Sequence, residues 1–526
     1  MTNAGQDNHS ADIAPADMPR IGTIDERYQS YNVEMVEVIG GRFWKPYSPE
    51  VRAILDAQQK PTEQSEGVPV GMDPDMYQQR APIDLTNPRL RKMAEALGPA
   101  YVRVSGTWAN TVYFHDSDTP PPSSPPEGFG GILTRQQWKG MVDFSHAVDA
   151  KIVTSFSTGV GTRDSNGVWT PEQARHILDF TKSVGGTIAA AEFMNEPTIA
   201  GMGGAPEGYD AADYGRDLAV FHPFMRQAAP NMRILGPGSV GESAPTPGSS
   251  APAMSAVPTI GAGFIKTEDM LKATGPIFDV FSYHFYGAAS KRCEGTMPQM
   301  ATTAEAALSE EWLSRTDATE VFYESLRDKY QPGKPLWNTE TADAACGGNP
   351  WASTFLDSFR YLDQLGRLAR RGLQVIIHNT LASSDYGLLD ENTFAPRPNY
   401  WAALLWRRLM GTTVLDPRSS PATSLHLYAH CLRDQSGGVA LLVINTDRTA
   451  SQELTIPMQS ERYTLSANKD LQERSVQLNG RILQLEPNDD LPALKGEPTP
   501  AGRVTFSPAT ITFLAMPDAG NEACEA

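Results

Sequence analysis

Long apolar runs are missing from this chain of 526 residues. No stretch approaches the ~18 consecutive apolar residues a membrane helix needs, so no membrane partner is expected. The first twenty residues, MTNAGQDNHSADIAPADMPR, lack the apolar core of a signal peptide. They read as a disordered tail, in a protein made without an export signal or already freed of one. Basic residues are in deficit: 44 Lys and Arg face 62 Asp and Glu, a net charge of −18. A general nucleic-acid binder, which grips phosphate with cations, is therefore not expected, and a long polyanion is a less favoured substrate. Cysteine is scarce. Cys293, Cys346, Cys431 and Cys524 show no CxxC spacing, which counts against zinc and thioredoxin-like sites. They allow three pairings. Joining Cys431 to Cys524 would staple the C-terminal region and leave Cys293 for Cys346; four free buried thiols is the alternative. No GxGxxG follows a first strand, which counts against an open dinucleotide-binding sheet.

What is present is an ordinary globular composition, 40% hydrophobic and 20% charged, at a length that suggests two domains. Short apolar runs alternate with helical patterns: 33–41, 100–106, 151–157, 187–197, 232–239, 277–287, 335–341 and 373–380. Near-continuous apolar strands between helices imply a parallel sheet covered on both faces. Eight of them predict an α/β fold, a (β/α)₈ TIM barrel. After about residue 410 the runs at 424–432, 439–447, 475–485 and 509–516 have no helices between them, and Asn479-Gly480 signals a hairpin. That predicts an accessory β-sandwich. The expected division is a tail at 1–20, a segment at 21–60 shared between the sandwich and the first barrel strand, the barrel at 61–408 and the sandwich at 409–526. Two Pro- and Ser-rich segments, 118–131 and 241–264, follow predicted strands and are read as lids or surface insertions.

The chemistry sits at strand ends. The run AAEFMNEPT places Glu196 where strand 187–195 finishes, and PLWNTET does the same for Glu340. Three strands apart on a closed barrel, the two acids can face each other across its mouth. Two facing carboxylates, one protonated and one ionised, are what glycoside hydrolysis uses. Alone, each glutamate would read as a salt-bridged or capping residue. Asn195 is placed to hold a sugar hydroxyl. In SYHFYG, His284 and Tyr286 share one face of a strand. Tyr286 is positioned to orient Glu340, and His284 to bond sugar or carboxylate; a packed aromatic pair is the bland alternative.

The set FMNEP, SYHFYG, WNTETADAACGG and the stretch 379–415 resembles the heparanase-like glycoside hydrolases, family 79, from about residue 95 to 415. YVRVSGTWAN, ending in Asn110, looks like the family's second barrel strand, and Asn110 is counted with the substrate-binding residues. The resemblance implies a retaining mechanism on β-D-glucuronides. By motif it makes Glu196 the acid/base and Glu340 the nucleophile. It also gives Tyr386 and the backbone N–H of Gly347 to the glucuronate carboxylate. Where the family often has glycine two positions before that tyrosine, this chain has Ser384.

The leading expectation is a retaining β-glucuronidase acting on a glucuronic-acid-containing glycoside or oligosaccharide. No metal, organic cofactor or obligate protein partner is expected. One alternative is a retaining glycosidase of the same barrel type that cleaves a neutral xyloside, arabinoside or glucoside. Another is a carbohydrate-binding protein without catalysis.

Overall fold

A computed structural model describes residues 11–56, 74–245, 263–294, 300–418 and 422–525. Eight parallel strands close into a barrel: β1 (Gln29–Asn32), β2 (Ala100–Val104), β3 (Ala150–Ser155), β4 (Ile188–Glu192), β5 (Arg233–Ser239), β6 (Val280–Ala289), β7 (Leu336–Ala345) and β8 (Val375–His378). Each strand pairs with its neighbours in chain order, and β8 pairs with β1. The interior is filled by Tyr101, Val153, Ala190, Leu235, Val280, Trp337, Val375 and Ile377. This plug closes the cylinder below its C-terminal rim, so polar side chains collect above it.

Seven of the eight predicted strands are present; the first is displaced. The barrel uses Gln29–Asn32, and the apolar run that follows forms a short helix, Met35–Ile39. Val and Glu alternate there, but Met35, Val36, Val38 and Ile39 also suit one face of a helix. The Glu34–Glu37 capping box decides between the two, with the Glu34 N–H donating to Glu37 Oε2 at 2.7 Å. Strand β4 is also shorter than predicted. It stops at Glu192, and Glu196 lies beyond it at φ 50°, leading a 3₁₀ turn at Pro197–Ile199.

The C-terminal part holds the predicted antiparallel sheet and a second, three-stranded one. Leu441, Val443 and Leu514 from the first sheet join Leu454, Ile456, Val504 and Phe506 from the second in one apolar cluster. The N-terminal segment reaches both. Arg20–Thr23 pairs with Met410–Leu415. Ala11–Asp12 adds to the small sheet beside Gln452–Ile456. Residues 11–20 are thus built into the sheets rather than forming a tail; residues 1–10 lie outside the described residues. Cys431–Cys524 staples this region and Cys293–Cys346 is the second bridge, so the four cysteines are paired, not free. Of the segment 241–264, residues 246–262 lie outside the described residues. Segment 118–131 contributes no side chain to the pocket at the barrel mouth. Among the described residues, no helix is long and apolar enough to cross a membrane.

Candidate active site

The barrel's C-terminal rim opens into a pocket floored by Glu340, His284, Tyr286, Tyr386 and Glu34, with Glu196 at its side. The sequence distributes these groups over strand ends that closure brings together. His284 and Tyr286 rise from β6 and Glu340 from β7, in parallel register with His284 opposite Glu340. Ligand-type atoms of Glu196, His284 and Glu340 all lie within 4.8 Å of one another.

Two hydrogen bonds fix Glu340. The Tyr286 hydroxyl donates to Oε1 at 2.6 Å, and Arg103 Nη1 donates to Oε2 at 2.7 Å. Asn379 Nδ2 donates to the Tyr286 oxygen at 3.0 Å, which turns the phenolic hydrogen towards the carboxylate. Arg103 is fully buried and also bonds Glu192 Oε2 at 2.8 Å and Asn195 Oδ1 at 2.8 Å. A buried guanidinium needs this many acceptors, and its planar fork can serve them at once.

Glu196 has a different environment. Its Oε1 lies 3.0 Å from His284 Nδ1. Burial pushes its carboxyl up to about 7, although Arg103 pulls the other way. His284 is buried, and desolvation lowers it to about 4, so it is neutral near pH 7. Its Nε2 lies 3.2 Å from Arg103 Nη2. Guanidinium nitrogens only donate, so Nε2 is the acceptor and the ring proton sits on Nδ1, donating to Glu196. Glu192 is also buried, which raises a carboxyl, yet Arg103, His284 and the Thr339 hydroxyl hold it below the ordinary range. Glutamate, histidine and glutamate have the donor types of a metal site. Here Arg103 already supplies the positive charge, and His284 is bonded through both nitrogens.

The other expected residues fall into two groups. Tyr386 lines the pocket, with its oxygen accepting from Asn379 Nδ2 at 3.2 Å. Gly347 adjoins pocket-lining Cys346 at φ 79°; a Cβ there would meet Trp44 Cγ at 2.7 Å. Ser384 adopts the left-handed backbone that glycine would favour, at φ 61°, and its hydroxyl donates to the Gly347 carbonyl at 2.9 Å. Asn195 and Asn110 do not line the pocket. Asn110 is buried with its amide spent on the backbone of Asn195: Oδ1 accepts from the N–H and Nδ2 donates to the carbonyl, both at 2.9 Å. It shapes the turn leading to Glu196 instead of meeting substrate. The Asn195 Oδ1 accepts from Arg103 Nη2 at 2.8 Å.

Sequence reasoning missed Arg103, Glu192, Glu34 and Asn379. A signal existed for two of them. Arg103 and Glu192 each interrupt an otherwise apolar strand, AYVRV and IAAAE, and opposite charges buried in two strands are expected to pair. Glu34 is buried, and desolvation, reinforced by Glu340 and Glu37, holds its carboxyl well above the usual range.

A closed barrel with two carboxylates meeting over its mouth, one raised and one braced by a cation and a tyrosine, defines a glycoside hydrolase. Residues 77–240 match the model of the N-terminal domain of glycosyl hydrolase family 79. Heparanase-like protein 1 of Arabidopsis thaliana is 26% identical over 84% of this chain and 86% of its own. Baicalin-beta-D-glucuronidase of Scutellaria baicalensis is 32% identical over 48% of this chain and 51% of its own. A solved 4-O-alpha-L-rhamnosyl-beta-D-glucuronidase from Fusarium oxysporum shares the fold, with a TM-score of 0.57 at 13% identity over 96% of this chain and 99% of that one. The chain thus carries a match to the family 79 N-terminal domain and is similar to heparanase-like proteins along most of its length.

Proposed function

We propose that this chain is a retaining β-D-glucuronidase working by double displacement. The observation that carries the proposal is the closeness of Glu196 and Glu340, with ligand atoms within 4.8 Å in unlike surroundings. Retaining enzymes keep the two carboxyls ~5–5.5 Å apart, whereas inverting ones leave room for water between them. Glu196, raised to about 7, still holds its proton in about half the molecules at pH 7 and in most of them below it. With Oε1 accepting from His284, the proton rides on Oε2 and passes to the glycosidic oxygen as that bond breaks. Glu340, held by Tyr286 and Arg103, attacks the anomeric carbon and forms a glycosyl ester. Glu196, now ionised, takes a proton from water, whose oxygen displaces Glu340 with a second inversion.

The glucuronide assignment rests on the family and on the relative named for cleaving a β-D-glucuronide. Tyr386 and the backbone at Gly347 are the neutral donors proposed for the sugar carboxylate. Glu34, with its carboxyl raised well above the usual range, is a further donor when protonated. One observation favours a second reading, a neutral glycone: among the described residues, no Lys or Arg lines the pocket. A panel of nitrophenyl β-glycosides decides between the two, and NMR of the first-formed product reads its anomeric configuration. Cleavage of xyloside or glucoside with an inert glucuronide would reject the proposed glycone. An inverted product would reject the mechanism.

A further inference from the structure

The pocket has a wall that the two-carboxylate chemistry does not use. In a retaining hydrolase the acid/base stands beside the leaving-group oxygen, so the side chains around Glu196 border the aglycone. Those side chains are Ile199 and Met202, on the turn just after Glu196, with Val240 and Phe264 from the chain after β5. Hydrogen bonds hold the two segments together. Thr198 Oγ1 donates to the Val240 carbonyl at 2.9 Å, and the Ile265 N–H donates to the Thr198 carbonyl at 2.9 Å. All four wall side chains are only partly buried. Isolated apolar residues on a surface need no explanation, but four converging on a catalytic acid form a binding surface.

Charge agrees with this. Across the pocket Trp44 and Tyr77 stack at 4.3 Å, with Trp108 edge-on to Tyr77. Glu34, Glu196, Glu242 and Glu340 supply all the formal charge among the described lining residues, apart from any on His284. The sequence of the undescribed stretches 246–262 and 295–299 contains no Lys or Arg, and that of 57–73 sets Lys60 against Glu63, Glu66 and Asp73. A sulfated or uronate-bearing leaving group would meet carboxylates and hydrocarbon with no cation to pair with, which is costly.

We infer that the leaving-group side of this pocket is an apolar subsite that takes flat, uncharged aglycones such as aryl groups and turns away anionic saccharides. This rests on the hydrolase reading above and deepens it by naming the aglycone class.

The test crosses two sugars with two leaving groups. Naphthyl β-D-glucuronide and naphthyl β-D-xyloside are compared with their counterparts sulfonated on the naphthyl ring, chosen for equal phenol acidity. The sugar comparison judges the proposed glycone and the naphthyl comparison judges this inference, so each can fail alone. On whichever sugar is cleaved, kcat/KM is expected to favour the plain naphthyl by about tenfold or more, the scale of discrimination an apolar pocket gives. If neither sugar turns over, tryptophan fluorescence of the Glu340→Gln variant ranks binding of the free naphthol against its sulfonate. Equal or better use of the sulfonate in either format overturns the inference. Met202→Lys, at a partly exposed position on the wall, is expected to narrow the preference by roughly tenfold by giving the sulfonate a partner. A preference unmoved by that change also overturns it.

Discussion

Arg103 Nη1 and Glu340 Oε2 are 2.7 Å apart, and neither side chain is more than 7% exposed. The same guanidinium holds Glu192, so one buried cation serves two buried anions. Removing one partner of such a cluster strands the others in low dielectric. Arg103→Met is expected to cost about 3–5 kcal/mol of stability and to remove turnover, because Glu340 would lose the guanidinium that holds its Oε2 in place. Arg103→Lys is expected to fail as well, since an ammonium cannot reproduce the fork. Urea unfolding with parallel kinetics checks both. A wild-type midpoint for Arg103→Met would refute the role given to this cluster.

Glu196 predicts a pH limb. Its carboxyl is raised from 4.5 to about 7, so the acid form dominates below that pH. kcat/KM is expected to fall about tenfold per unit above pH 7 as the proton is lost. The stability sign is the same. Folding favours the protonated form, and that contribution, full below pH 4.5, is lost as pH rises through 7. His284 donates to the carboxylate and so favours its ionised form. His284→Phe is expected to move the limb upward by about one unit. Glu37 is also raised to about 7 by burial, and Glu37→Gln is expected to leave the limb in place. A limb that follows Glu37 would reassign the titration.

The sequence made the barrel legible because its strands are apolar on both faces, a pattern few other folds produce. Its first strand was hidden because Gln29, Ser30 and Asn32 are polar yet buried. Gln29 Nε2 donates to the Tyr361 hydroxyl, and Ser30 Oγ to the Arg27 carbonyl. Such pairing depends on tertiary neighbours and leaves no local periodicity. The site shows the same division. Glu196, His284, Tyr286 and Glu340 stand in recognisable strings at strand ends. Arg103 acts from inside a strand, and its purpose appears only when β2 closes against β3 and comes near β4 and β7. Asn110 stood in a recognisable string too, but the string did not reveal that its amide folds back on Asn195.

Two glycines separate site packing from chain freedom. At Gly347 the backbone is left-handed, and a Cβ would lie 2.7 Å from Trp44 Cγ and 2.8 Å from Ser384 Oγ. Gly347→Ala is expected to raise KM more than it lowers kcat, because its backbone is proposed to hold the sugar carboxylate and not the two acids. Gly140 lies within the helix Arg135–Ala147, and a Cβ there would have no neighbour within 4 Å. Gly140→Ala is expected to stabilise by about 0.5–1 kcal/mol and leave KM unchanged. Equal kinetic effects from the two substitutions would sink the assignment of Gly347 to the pocket wall.

The two disulfides make a matched pair for the last prediction. Cys293–Cys346 spans 53 residues and ties the chain after β6 to the end of β7, with Cys346 in the pocket wall beside Gly347. Cys431–Cys524 spans 93 residues and lies in the sheets' apolar cluster, outside the pocket. In the chain-entropy picture either bridge is worth about 4 kcal/mol, since closure entropy grows only slowly with loop length. Stability alone would not tell them apart; kinetics would. Cys293→Ala with Cys346→Ala frees the segment that carries Gly347, so KM is expected to rise severalfold along with the loss of stability. Cys431→Ala with Cys524→Ala is expected to show a similar loss of stability with KM unchanged at temperatures where the variant stays folded. If both pairs shift KM alike, the effect is general loosening, and the bridge at the barrel mouth has no particular hold on the substrate.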